Sequence, residues 1–186
     1  GKTDPGRMLD GTPEWFVGPM LAELVAHEVG HTLGLRHNFK GSANMTFEEI
    51  NSEEGKGNKP WSTTVMDYNG ININMPGFGE TQGDYSVIDI GPYDMWAIAF
   101  GYGPADKVDE VLAQSAEPDH LYIAQTAMSV GSDPRNMTWD MGKDNLAFAE
   151  GRLALIRKIR ERMLTDIVDE GESWAVARRR YHTPMG

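Results

Sequence analysis

A chain of 186 residues with 40% hydrophobic side chains can bury one modest core. Its 28 acidic against 17 basic residues give a net charge of −11, which speaks against nucleic-acid partners because no basic surface offers counterion release. The absence of cysteine excludes thiol catalysis and thiolate metal sites, and no 18-residue apolar run offers a membrane span. Residues 1–18 are rich in Gly, Pro and Asp without alternating β-branched residues, so they read as a loop-like entry. A helix is expected from about Pro19 to Leu33, with Pro19 in its first turn. Ala22, Val25, Ala26, Val29 and Leu33 recur at helical spacing and are expected to form its buried stripe, leaving His27 and His31 on another face.

The same helix carries His27-Glu28-Val29-Gly30-His31, with Gly34 and His37 following. Two histidines four residues apart lie about 40° apart around a helix and roughly 6 Å along it, so both rings can point at one metal. Glu28, about 100° round from His27, is not a third ligand of the same kind but can take a proton from a water on the metal. Were the helix to continue, His37 would sit about 9 Å beyond His31 and about 240° round. Gly34 can end the helix with positive φ at no Cβ cost, which lets His37 swing back. Three protein ligands with a fourth position left open characterise a catalytic rather than a structural zinc site. A bare H-E-x-x-H arises by accident in many helices; the added Gly34 and His37 make this pattern far more specific.

Residues 41–62, with Glu48, Glu49, Glu53, Glu54 and scattered glycines, read as a polar surface excursion with one helical turn near Phe47 to Asn51. Asn69 to Tyr85 is dense in Gly and Asn and reads as loop. A helix begins at Pro92 and is expected to stop at Gly101. A short helix over Lys107 to Gln114 and a strand over His120 to Thr126 are expected next. The longest late element is a helix starting at Asp144 or Asn145, with Leu146, Ala149, Leu153, Ile156, Ile159, Met163 and Ile167 as its apolar stripe. A final short helix is expected around Trp174 to Arg180, where the Arg178-Arg179-Arg180 run favours the helix dipole. Asp133, Asp140 and Asp144 match no EF-hand order, and His120 and His182 read as surface or packing histidines.

His27-Glu28-x-x-His31-x-x-Gly34-x-x-His37 resembles the zinc signature of the metzincin metallopeptidases. Ser62-Thr63-Thr64-Val65-Met66-Asp67-Tyr68 resembles their Met-turn, with Met66 placed 29 residues after His37, and Tyr93 to Gly103 resembles the helix after that turn. The wording is closest to large bacterial zinc-dependent metalloproteases. The resemblance implies Zn2+ held by His27, His31 and His37, Glu28 as the catalytic base and Met66 as a polarisable floor. It also implies that Tyr68 steadies the oxyanion, that the substrate is a polypeptide, and that residues 69–85 wall a substrate pocket. Ile71, Ile73, Met75 and Phe78 fit either that pocket or packing beneath the loop.

The family places a twisted β-sheet subdomain before the zinc helix, whereas about 20 residues precede it here. The expectation is therefore an excised piece of a larger protease with further domains, secreted, periplasmic or envelope-associated by resemblance. Its fold is expected to be mainly α with extensive loops: a metzincin-like catalytic lobe over residues 1–102 lacking the N-terminal sheet, and a helical extension over 103–186. Such a fragment is expected to bind zinc and to act, weakly, as a zinc-dependent endopeptidase. The rival readings are a zinc hydrolase of non-peptide amides and a non-catalytic, zinc-organised binding lobe. An intact Glu28 argues against the last, because a structural site needs no general base.

Overall fold

The computed structural model describes residues 6–78, 81–124, 136–166, 171, 173–175 and 178. The chain divides into two units, Gly1–Asn74 with Phe78–Asn145, and Met75–Gly77 with Leu146–Gly186. It is mainly helical with long loops, and among the described residues the only sheet is a two-stranded antiparallel ribbon, β1 (Met8–Leu9) and β2 (Thr12–Pro13). Among the described residues the lobe thus carries no large sheet, as expected. No helix among the described residues is long and apolar enough to cross a membrane.

In the first unit, α1 spans Glu14–Thr32, starting five residues before the expected Pro19. The cause is tertiary: Trp15 and Phe16 pack against Tyr85, with ring centroids 5.9 and 5.1 Å away, and this holds the early turn in place. Pro19 lies inside the helix, where it lacks the N–H that would pair one turn back. The expected buried stripe is also displaced. Val25 and Val29 are 61% and 49% exposed, while His27 and Gly30 form the buried side. The reason is polar rather than apolar: the inward face carries groups whose hydrogen-bond partners lie on the segments beneath it.

Those segments hold the core. Residues 41–62 are a surface excursion only in part: Glu48, Glu49, Glu53 and Glu54 are exposed as expected, but Met45, Phe47, Ile50 and Trp61 are buried. Their apolar residues are spaced too irregularly for periodicity to show. The expected helical turn is present as α2 (Phe47–Ile50), closed by a Thr46–Glu49 capping box in which each side chain accepts the other's backbone N–H. Residues 69–74 and 81–85 contain no helix or strand, as expected of a loop.

Next, α3 spans Pro92–Tyr102 and α4 spans Val108–Leu112. Gly101 therefore does not stop α3; the chain leaves helical geometry at Gly103. The expected strand over 120–126 reduces to a single bridge, Asn38 to Ala124, and residues 125–126 lie outside the described ones. The buried Asn38 side chain occupies the positions a ladder would use, donating to Leu121 O (3.0 Å) and accepting from Ile123 N (3.0 Å). His120 packs flat on Trp96, with centroids 5.3 Å apart, as a packing histidine should; His182 is outside the described residues.

The second unit is built on α5 (Asn145–Asp166). Leu146 and Leu153 of its expected stripe are exposed, while Gly151 is buried. The first half of α5 is apolar nearly all round, with Ala147, Phe148, Ala154 and Leu155 on other sides, so spacing alone cannot select the covered face. Most of the expected helix over 174–180 lies outside the described residues.

Candidate metal centre

The exit from α1 builds the site. Leu35 N donates to Gly30 O and Gly34 N to His31 O, both at 3.0 Å, which is the Schellman pattern, with Gly34 in the left-handed region at φ 87°. This turn redirects the chain so that His37 returns toward the helix. The candidate ligand nitrogens of His27, His31 and His37 all lie within 4.8 Å of one another. His31 Nε2 and His37 Nε2 are 3.1 Å apart. A tetrahedral zinc with bonds of ~2.0–2.1 Å holds two nitrogens roughly 3.4 Å apart, close to the His31–His37 separation.

Tautomers are fixed by backbone carbonyls. His27 Nδ1 donates to Val65 O (2.6 Å) and His31 Nδ1 to Leu35 O (3.0 Å); a carbonyl only accepts, so each Nδ1 carries the proton and leaves Nε2 free. Burial lowers the His27 pKa, opposed by the Val65 bond, which keeps that ring in the neutral form a metal needs.

Beneath the helix lies Met66, fully buried at 0% exposure. A Cβ on Gly30 would sit 2.4 Å from Met66 Sδ, so a glycine is required where helix and sulfur meet. The turn bearing Met66 is clamped from α3. Asp94 accepts from Val65 N (2.8 Å) and Gly91 N (3.1 Å), and from the Thr64 hydroxyl. Val65 therefore joins Asp94 to His27, its N–H bound to one and its carbonyl to the other. On the other side Asn38 N donates to Met66 O (3.1 Å), tying the residue after His37 to the same turn.

A cavity of about 380 Å³ opens beside the three imidazoles, and Glu28 and Tyr68 line it. The Tyr68 ring lies 4.4 Å from His37 and 5.8 Å from His27, meets Phe39 at 5.4 Å, and stacks near-parallel on Trp139 at 5.6 Å. Trp139 holds that position through its N–H to Tyr68 O (2.9 Å), at φ 64°. Ile71 lines the cavity, whereas Phe78 packs on Phe47 (4.6 Å), and Met75 and Ile73 are absent from the lining.

Thus His27, Glu28, His31, His37, Met66 and Tyr68 are gathered at one place. Sequence reasoning missed four supports: Glu23, Asp94, Trp139 and Asn38. Glu23, a charged residue one turn before His27 on the same face, was the most readable of them. Trp139 carried no local signal. Asp67 adds a feature of its own: burial, reinforced by Asp140 and opposed by the Ser42 amide, pushes its pKa up to about 7. Of the three aspartates set aside as a calcium pattern, Asp140 is buried beside Ser42 (3.4 Å), and Asp133 lies outside the described residues.

Imidazoles converging beside an open cavity, over a buried methionine sulfur, place the protein among zinc metallopeptidase-type folds. The chain belongs to the Met-zincin family, whose sequence model matches residues 10–186. That membership carries zinc as the metal and a metallopeptidase-type function. No curated protein and no solved structure matches the chain.

Proposed function

We propose that this chain is a zinc-dependent endopeptidase in which His27, His31 and His37 hold the metal and Glu28 is the general base. The observation that carries the reading is the convergence of three imidazoles beside Glu28 in one open cavity. Bound zinc supplies Lewis acidity, bringing the pKa of a water toward ~7 and polarising a carbonyl.

Glu28, exposed at the cavity, takes the proton of the attacking water on its carboxylate and delivers it to the departing amine nitrogen. Tyr68, held between His37 and Trp139, donates its phenol hydrogen to the carbonyl oxygen as that oxygen gains charge. His27 and His31 are kept in orientation by Val65 O and Leu35 O.

Glu28→Gln keeps the shape of the side chain and removes its basicity. Turnover of a peptide library is expected to fall on the order of a thousandfold while zinc content, read by elemental analysis, stays at one per chain. Undiminished cleavage by a metal-replete variant removes Glu28 from the base role. The same assay run on acylated small-molecule amides separates peptide from non-peptide hydrolysis.

A further inference from the structure

Glu23 sits four residues before His27, on the same side of α1 and about one turn, roughly 6 Å, along the axis. Its carboxylate lines the same cavity as His27 and Glu28. Both oxygens are held: Oε1 accepts from Asn69 Nδ2 (3.1 Å) and Oε2 from the Val87 amide (2.9 Å). Those donors stand at either end of the loop that walls the cavity, so the group cannot rotate away without breaking both bonds. Each carboxylate oxygen accepts more than one hydrogen, so acceptor capacity remains on both.

Among the described residues no basic side chain offers Glu23 a counter-charge. No Lys or Arg among the described residues lines the cavity, and the ion pairs those residues form, Arg7 with Glu14, Lys107 with Glu110 and His120 with Glu117, do not involve Glu23. Desolvation raises the Glu23 pKa against the Val87 and Asn69 hydrogen bonds that oppose it. The remaining walls suit an alkyl stem, with Met20, Leu24 and Ile71, and aromatic faces from Tyr85 and Trp139. Long cationic side chains combine an apolar stem with a charged head, and ring faces attract that head as well.

We propose that Glu23 makes this cavity select a Lys or Arg side chain of the peptide at a position flanking the scissile bond. The proposal rests on the endopeptidase reading for its substrate class, and its test is read by binding as well as by cleavage. Uncleavable reduced-bond peptide analogues carrying Lys, norleucine or Glu, scanned through the flanking positions, are titrated calorimetrically against the zinc-loaded chain. Norleucine keeps the stem of lysine and lacks its charge.

At one position the Lys analogue is expected to bind about tenfold more tightly than norleucine, with Glu weakest. Glu23→Gln is expected to erase that difference while leaving norleucine binding within about threefold. Equal or tighter binding of norleucine at every position overturns the proposal, as does a Lys preference that survives Glu23→Gln, or no binding of any analogue. If the variant misfolds by circular dichroism, the lysine–norleucine comparison on the unaltered chain decides alone. Library cleavage in parallel separates the two readings. Glu23-dependent Lys binding without any cut peptide sinks the endopeptidase reading only, and cuts beside apolar residues without a Lys preference sink this one only.

Discussion

Along α1, one side sets Glu23, His27 and Gly30 against the Met-turn and the loop beyond it, while the other carries Val25, Val29 and Leu33, each at least 41% exposed. The covered side is the more polar of the two. An imidazole that is to hold a metal needs an outer partner for its second nitrogen, and here that partner comes from another segment. The face bearing His27 must therefore meet the rest of the unit, and the aliphatic face takes what is left.

The comparison can be broken at the covered side first. His31→Ala is expected to weaken zinc binding by more than the ~10–100-fold that loss of an outer partner costs, measured by competition with a chromogenic chelator. Full zinc occupancy in that variant would contradict its place in the triad. Gly30→Ala pushes a methyl against Met66 Sδ, and fully buried Met66 has little space to yield. The expected cost is about 2–3 kcal/mol in denaturant titration, and an unchanged midpoint would mean that helix and sulfur do not meet closely.

A third change acts beneath the helix and depends on pH. Asp67 ordinarily titrates at 3.8 and is raised to about 7 in the fold. Between those values the folded chain keeps a proton that the unfolded chain has released, so this group's contribution is full below pH 4 and is lost as pH rises to 7. Asp67→Asn retains an acceptor for the Ser42 amide and carries no charge. It is expected to gain about 1–2 kcal/mol at pH 8 and almost nothing at pH 4, read from thermal unfolding at both values. A gain independent of pH would show that charge is not the cause. The smallest effect belongs to the outward face: Val25→Ser should alter stability by no more than about 0.5 kcal/mol, and a larger loss would reveal that this face is covered.

The site was legible because its chemistry fixes short spacings. His27 and His31 share a helix face, Gly34 permits the Schellman turn, and His37 then has a single place to go. Met66 and Tyr68 were readable through resemblance to a family pattern, and the start of α3 at Pro92 through proline's place in a first helical turn. Burial was less legible. Periodicity located an apolar stripe on α1 and on the early part of α5 without saying what lies opposite, and in both helices part of the stripe faces outward. The polar wording of residues 41–62 hid Phe47, Ile50 and Trp61, whose spacing follows a folded loop rather than any regular period. Trp139 and Asp94 reach the site from distant parts of the chain, and nothing near them in sequence announces it.

The grip of Asp94 on Thr64, Val65 and Gly91 gives the metal a remote custodian. The peptide unit that steadies His27 is anchored at the opening turn of α3, 29 residues further along the chain. Loosening that anchorage frees the carbonyl that orients the imidazole, so weakened zinc binding would report damage to a part of the molecule that never touches the metal.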